Sequence, residues 1–186
     1  ARLAFRRPPT DMEMDSYLSH YQTQKTKGKN DKEALGTVMK VILVSPNFLL
    51  KAEQLSSVGK DTRVGQYDMA SRLSYFLRAS APDQELLSLA DKKQLHDTKT
   101  IRDQILRMLK DSRSESLGRI FASEWLSTDD VGPRIRKDPI DNPWCTETLM
   151  AAMREETSLF FHSLVMKNDP IERLIDSNYT FLNAEL

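Results

Sequence analysis

Apolar residues along this chain recur mostly at helical spacing. Leu35, Val38, Met39, Ile42 and Leu43 follow the i, i+3, i+4, i+7 rule, and the same period returns at Met69, Leu73, Phe76 and Leu77. Leu86, Leu87 and Leu89 follow Pro82. Ile101, Ile105, Met108 and Leu109 form a further stripe, as do Leu117, Ile120, Phe121, Trp125 and Leu126. A longer one runs through Leu149, Met153, Phe160, Phe161 and Leu164. Helix-start signals precede several stripes. Thr10 with Glu13 and Asn30 with Glu33 have capping-box spacing, and Pro46, Pro82, Pro143 and Pro170 suit a first helical turn. The β-branched run at 38–44 invites a strand, but its period and flanking cap favour helix.

These signals predict an all-α fold of about eight helices, an irregular multi-helix bundle. The first helix should run from Thr10 to about Tyr21, with 22–30 a polar loop. A short helix is expected at 47–54 and a loop at 55–64. Residues 5–9 should be extended, because a residue before proline avoids the helical region. The segment 127–142 holds Pro133 and Pro139 and no helical period, so it should be a long loop. The penultimate helix should then run from Pro143 to about Lys167, with a short eighth helix at 171–175. Tyr179, Phe181 and Leu182 should pack back as a hook.

The 186 residues suit one domain, or two small helical units packed as one. With 39% apolar and 29% charged residues the chain is globular, not disordered. Twenty-seven basic residues balance 27 acidic ones, which argues against a dedicated nucleic-acid binder. The longest apolar runs fall far short of the roughly 20 residues of a membrane span. No period of 20–50 residues repeats. Both termini are expected to be cuts in a longer protein. The single cysteine, Cys145, rules out an internal disulfide, C-x-x-C-H haem attachment and a multi-cysteine zinc site.

Candidate chemistry is sparse. His20, His96 and His162 stand in no metal-binding spacing; the residue three before His162 is Leu159, which cannot ligate, so no metal site is expected. There is no G-x-S-x-G elbow around Ser71, Ser74 and Ser80, and no Gly-rich phosphate loop. Cys145, in a first helical turn, reads as an incidental thiol. Arg134, Arg136 and Lys137 make a small basic loop, suited to solvent or to an acidic neighbour. Trp125 and Trp144 flank the long loop; they suit core packing, with a carbohydrate platform as the alternative.

Arg72 draws most attention, because it stands among Met69, Leu73 and Phe76. A buried charge must be paired, so the expectation is a polar network of Arg72 with Glu124 or Glu156. The alternative is a clamp for a substrate carboxylate. Glu155 and Glu156 are adjacent and point about 100° apart on a helix, so one can face inward.

Several motifs together resemble a known family. They are Ala4-Phe5-Arg6-Arg7-Pro8 with Thr10-Asp11, Val44-Ser45-Pro46-Asn47-Phe48-Leu49, and Ala70-Ser71-Arg72-Leu73-Ser74-Tyr75-Phe76-Leu77. Pro82-Asp83-Gln84-Glu85-Leu86-Leu87 and Phe121-Ala122-Ser123-Glu124-Trp125-Leu126 follow. Arg154-Glu155-Glu156-Thr157 with Phe160-Phe161, and Asn178-Tyr179-Thr180-Phe181-Leu182-Asn183, complete the set. The chain resembles the paired helical domains of unknown function in large planctomycete-type proteins associated with cytochrome c modules. The resemblance spans nearly the whole chain in order. It implies a smaller unit at 1–60 and a larger one at 65–186. It also implies an exported, periplasmic or cell-envelope parent protein, with haem c outside this region and no cofactor within it. It supplies no catalytic residues.

Two functions follow. One is a non-catalytic scaffold or interaction module, meeting neighbouring domains of the same polypeptide, haem domains among them, in support of electron transfer. The other is an oxidoreductase-associated enzyme domain with a pocket around Arg72, Glu124 and Glu156.

Overall fold

A computed structural model describes residues 1–51, 53, 55–56 and 63–186. It is all-α apart from one small ribbon, and falls into two compact units. The first comprises 1–73 with 81–100, the second 74–80 with 101–186. No described helix is long and apolar enough to cross a membrane.

The first unit opens on a short helix, α1 (Arg2–Phe5), where the proline rule alone predicts an extended chain. Arg6 then takes a left-handed conformation, with φ 60°, and turns the chain. Helix α2 (Asp11–Thr26) begins at Thr10 and α3 (Asp31–Leu43) at Asn30. Both starts are complete capping boxes: the Glu13 and Glu33 amides donate to the Thr10 and Asn30 side chains, and each Glu carboxylate accepts the cap's own N–H. Helix α2 runs five residues past Tyr21, because 22–26 contains neither Gly nor Pro to stop it. Helix α4 (Pro46–Leu49) is shorter than expected, since Leu50 is already extended; Gln54, the expected end, lies outside the described residues. The strands β1 (Leu55–Ser56) and β2 (Arg63–Val64) pair antiparallel, Leu55 opposite Val64, within the expected loop. The loop's interior, 57–62, lies outside the described residues.

Helix α5 (Gln66–Arg78) begins in the first unit and ends in the second. Helix α6 (Gln84–Asp91) starts two residues after Pro82, because Asp83 caps it through the Leu86 amide. Phe5, Ala34, Ala70, Leu86, Leu87, Ala90 and Leu95 are buried in this unit. The α3 stripe divides: Ala34 is buried and Val38 and Ile42 half-buried, while Leu35, Met39 and Leu43 stay exposed.

One carboxylate ties the start of this unit together. Glu13 receives both terminal nitrogens of Arg7 at 2.9 and 2.8 Å, the Thr10 amide at 2.7 Å and the Asn47 side-chain amide at 2.7 Å. The Arg7 hydrogen bonds, aided by the Thr10 amide, hold its carboxyl down at about 2, against an ordinary 4.5. A depressed carboxyl stabilises the fold fully above its ordinary value and loses that contribution as pH falls toward the folded one. Thermal melts should therefore weaken between about pH 4.5 and 2, and Glu13→Gln should flatten that part of the profile.

In the second unit, α7 (Thr98–Leu109), which begins in the first, leads to a stretch read in the sequence as one helix. It has three parts: a 3-10 turn (Ser112–Glu115), a π-helical segment (Leu117–Ala122) and α8 (Ser123–Leu126). The Ser123 amide donates to the Gly118 carbonyl, five residues back, and so does its hydroxyl at 3.3 Å. The π segment lies against α9 (Glu147–Lys167) so closely that a Cβ on Gly118 would fall 2.2 Å from the Ser158 carbonyl oxygen.

Helix α9 is capped by Thr146, so Pro143 precedes it rather than opening it. The segment between α8 and α9 is irregular, as its prolines suggest. It is pinned where Arg154 donates to the Val131 carbonyl. Helix α10 (Arg173–Asp176) starts two residues later than expected. Leu77, Met108, Leu117, Ala122, Met150, Phe161 and Leu164 are buried here.

Candidate functional site

Helix α5 corrects the expectation for Arg72. Its buried positions are Ala70, Ser74, Leu77 and Arg78, not the Met69, Leu73 and Phe76 face. Residue 72 is about 200° around the helix from residue 70, and its side chain is 53% exposed. It pairs with Glu53, Nε to Oε1 at 2.6 Å and Nη2 to Oε2 at 2.5 Å. The expected tie to Glu124 or Glu156 is replaced by this exposed bidentate pair. Exposed pairs contribute little, so Arg72→Ala should leave the melting curve nearly unchanged. A large fall in melting temperature would contradict this placement.

The buried arginine of α5 is Arg78, whose side chain has no exposed surface. It donates to the Ser74 hydroxyl at 3.1 Å and meets Asp111 at 3.3 Å. Asp111 also takes both arms of Arg113, at 2.9 and 2.5 Å, and accepts the Arg113 amide at 3.0 Å. Those Arg113 bonds, with the charge of Arg78, hold the Asp111 carboxyl far below its ordinary range. Small residues at 70 and 74 keep this face of α5 from reading as apolar.

The other singled-out side chains are placed as follows. Glu124 is exposed. Glu155 pairs with Arg119 at 2.9 Å, and Glu156 accepts the Thr180 hydroxyl, so the adjacent glutamates do point to different partners. His20 is exposed; His96 meets the Val64 carbonyl at 2.8 Å; His162 Nε2 lies 3.2 Å from the buried Ser114 hydroxyl. Among the described residues no group of three or more His, Cys, Asp or Glu is placed to hold a metal ion. Arg134 and Arg136 are paired with Asp130 and Glu147, at 3.2 and 2.5 Å. Trp125 and Trp144 are both more than half exposed, against the expectation of core packing.

Two surfaces of the second unit stand out. The first is aromatic. Phe76 meets Phe121 edge-on at 5.4 Å, Phe121 stacks on Trp125 at 6.0 Å, and both Phe121 and Trp125 rest against the buried Phe161 at 6.0 and 6.3 Å. Phe76 is 56% exposed and Trp125 53%. Phe161 of α9 thus backs Phe121 and Trp125, while Phe76 and Trp125 keep more than half their surface open.

The second is a groove of about 480 Å³ between α9 and the C-terminal segment. Leu126, Phe160, Leu174 and Ile175 give it apolar walls, and Glu156 its only charge. Tyr179 closes one side, edge-on to Phe160 at 5.3 Å, with its hydroxyl 3.3 Å from that of Ser163. Of the expected hook, Tyr179 packs on Phe160 and Phe181 meets Tyr179 edge-on at 6.2 Å, while Leu182 remains exposed.

Sequence reasoning missed Arg78, Gly118 and the groove. A glycine inside a helical stripe was the available signal for Gly118. The hook residues 179–182 pointed toward the groove, but nothing placed Glu156 in it.

Comparison with known families adds to this geometry. The family model PSD5, protein of unknown function (DUF1595), matches residues 1–53. The model PSD4, protein of unknown function (DUF1592), matches residues 64–186. No curated protein and no solved structure matches the chain. The PSD4 match covers α5 to the C-terminus, including both surfaces, and so the chain belongs to the PSD4 (DUF1592) family, with a PSD5 (DUF1595) segment ahead of it.

Proposed function

We propose that the chain is a non-catalytic helical interaction module of an exported, cell-envelope protein, and that it supports electron transfer by holding a haem-bearing domain of the same polypeptide. The observation that carries this reading is the open aromatic face of Phe76, Phe121 and Trp125. Rigid, half-exposed aromatic side chains are the residues from which protein interfaces draw most of their energy, because they bury large areas at low entropic cost. The exposed ridge of Leu35, Met39 and Leu43 on α3 supports it further, since three apolar side chains one turn apart gain from being covered. With one cysteine this chain cannot itself attach haem through C-x-x-C-H, so the haem belongs to the partner domain; the family resemblance supports that partner.

The test is to titrate the chain with the c-type haem domain expected on the same polypeptide, following tryptophan emission. Haem near Trp125 should quench it saturably. Phe76→Glu, at an exposed position, should weaken the titration at least tenfold, the effect of about 1.4 kcal/mol. Unchanged emission, or an equal titration by the variant, would reject the module reading.

A further inference from the structure

The Glu156 groove has a chemical polarity of its own. Three of its four hydroxyl hydrogens are already spent within the chain. Thr157 donates to the Met153 carbonyl at 3.1 Å, Ser177 to the Arg173 carbonyl at 2.6 Å, and Thr180 to Glu156 Oε1. The Tyr179 hydroxyl is shared with Ser163. The lining therefore offers acceptors and few donors. The strongest acceptor is Glu156, whose Oε2 receives no hydrogen bond, and which meets no cation, among the described residues. A half-buried carboxylate left in that state gains from a charged donor more than from a neutral one.

The walls set the rest of the ligand. Leu126, Phe160 and Leu174 supply apolar surface beside the carboxylate. The Tyr179 ring is already taken, with the Lys167 ammonium 4.0 Å from its centroid, so the ligand's charge must be held by the carboxylate and not by this ring. A neutral apolar ligand would leave Glu156 desolvated and unpaired. An anion would meet it head-on. A cation with an apolar stem satisfies both parts.

We propose that this groove binds a primary ammonium carried on a short apolar chain, with the ammonium donating to Glu156 Oε2 and the chain lying along Phe160 and Leu174. The same chemistry is offered by a free alkylamine and by a lysine side chain of another protein segment. The site is independent of the aromatic face.

Amide-resolved NMR titration of the whole chain tests it, with n-hexylammonium, n-hexanol and N-acetyl-lysine methylamide as probes. Hexylammonium should shift the amides of Glu156, Ser177 and Thr180 saturably. Hexanol, equal in shape and uncharged, should bind about tenfold more weakly. Glu156→Gln should lose a similar factor while keeping its melting temperature, because the glutamine carbonyl still accepts from Thr180. Lysine methylamide binding as tightly as hexylammonium would assign the site to a protein side chain; weaker binding would assign it to a free amine. Hexanol binding as well as hexylammonium would overturn the proposal without any variant. So would retained affinity in Glu156→Gln, or no shift with any probe.

Discussion

Gly118→Ala is expected to destabilise the second unit by roughly 3 kcal/mol, the upper end of overpacking costs. The new Cβ would lie 2.2 Å from the Ser158 carbonyl oxygen, 2.8 Å from its hydroxyl and 2.9 Å from its carbonyl carbon. The hydroxyl can rotate away. The carbonyl belongs to the backbone of α9 and cannot retreat unless the helix moves. Alanine ordinarily improves a helix over glycine by about 1 kcal/mol, so the sign of the change is informative. Gly36 is the control: it lies inside α3 with nothing within 4 Å of a built Cβ. Gly36→Ala should stabilise by about 0.5–1 kcal/mol. Thermal melts of the two variants should move in opposite directions, and a Gly118→Ala melt at or above the parent's would refute the close approach of the π segment to α9.

Arg6→Ala should cost about 2–4 kcal/mol, from the loss of several charge-assisted bonds worth roughly 1.5–3 kcal/mol each and not additive. The guanidinium, almost fully buried, donates to the carbonyls of Asn47 at 2.9 Å, Phe48 at 3.3 Å and Leu50 at 2.7 Å. Those oxygens lie at the end of α4, where helical partners run out and the dipole is negative. Lysine at position 6 would keep the charge but not the planar fork, and should recover only part of the loss. Glycine would relieve the left-handed backbone and still lose every one of these bonds. Denaturant unfolding measures the stabilities. A loss under about 0.5 kcal/mol for Arg6→Ala, the usual size of a surface effect, would show that α4 does not depend on this cap.

The two arginines of the Arg6-Arg7-Pro8 run show what could be read in advance. Glu13 was legible as a capping residue, because a capping box depends on neighbours three positions apart. That it also gathers Arg7 and Asn47 was not, since Asn47 is 34 residues away. The two helices announced by capping boxes start where expected, after Thr10 and Asn30, while the end of α2 lies five residues beyond expectation and the stripe at 117–126 is split. The stripe on α5 misled for a physical reason. Of its four residues only Leu77 is buried; burial there also follows closeness of approach, which favours Ala70 and Ser74, while Phe76 stays exposed. Arg72 and Arg78 are equally polar in the sequence; only the path of the chain puts Asp111 beside one and Glu53 beside the other. The groove was hidden for a similar reason: Glu156 and Thr180 meet across 24 residues that include a complete helix end, α10 and the turn after it.

The π segment has a bearing on chain length. Closing bonds five residues back accommodates one more residue than the four-residue bonds of an α-helix. Removing any one of its six residues would let a regular turn close instead, at no loss of backbone bonding. The two flanks would keep nearly their present phase, because the wider π turn takes up one residue that an α turn does not. Phe121 lies inside the segment and Trp125 beyond it, and both now rest on Phe161. After such a deletion Trp125 should still reach that ring. The π turn thus absorbs one residue while keeping the two halves of an interrupted helix in phase, and with it the direction in which the aromatic face looks.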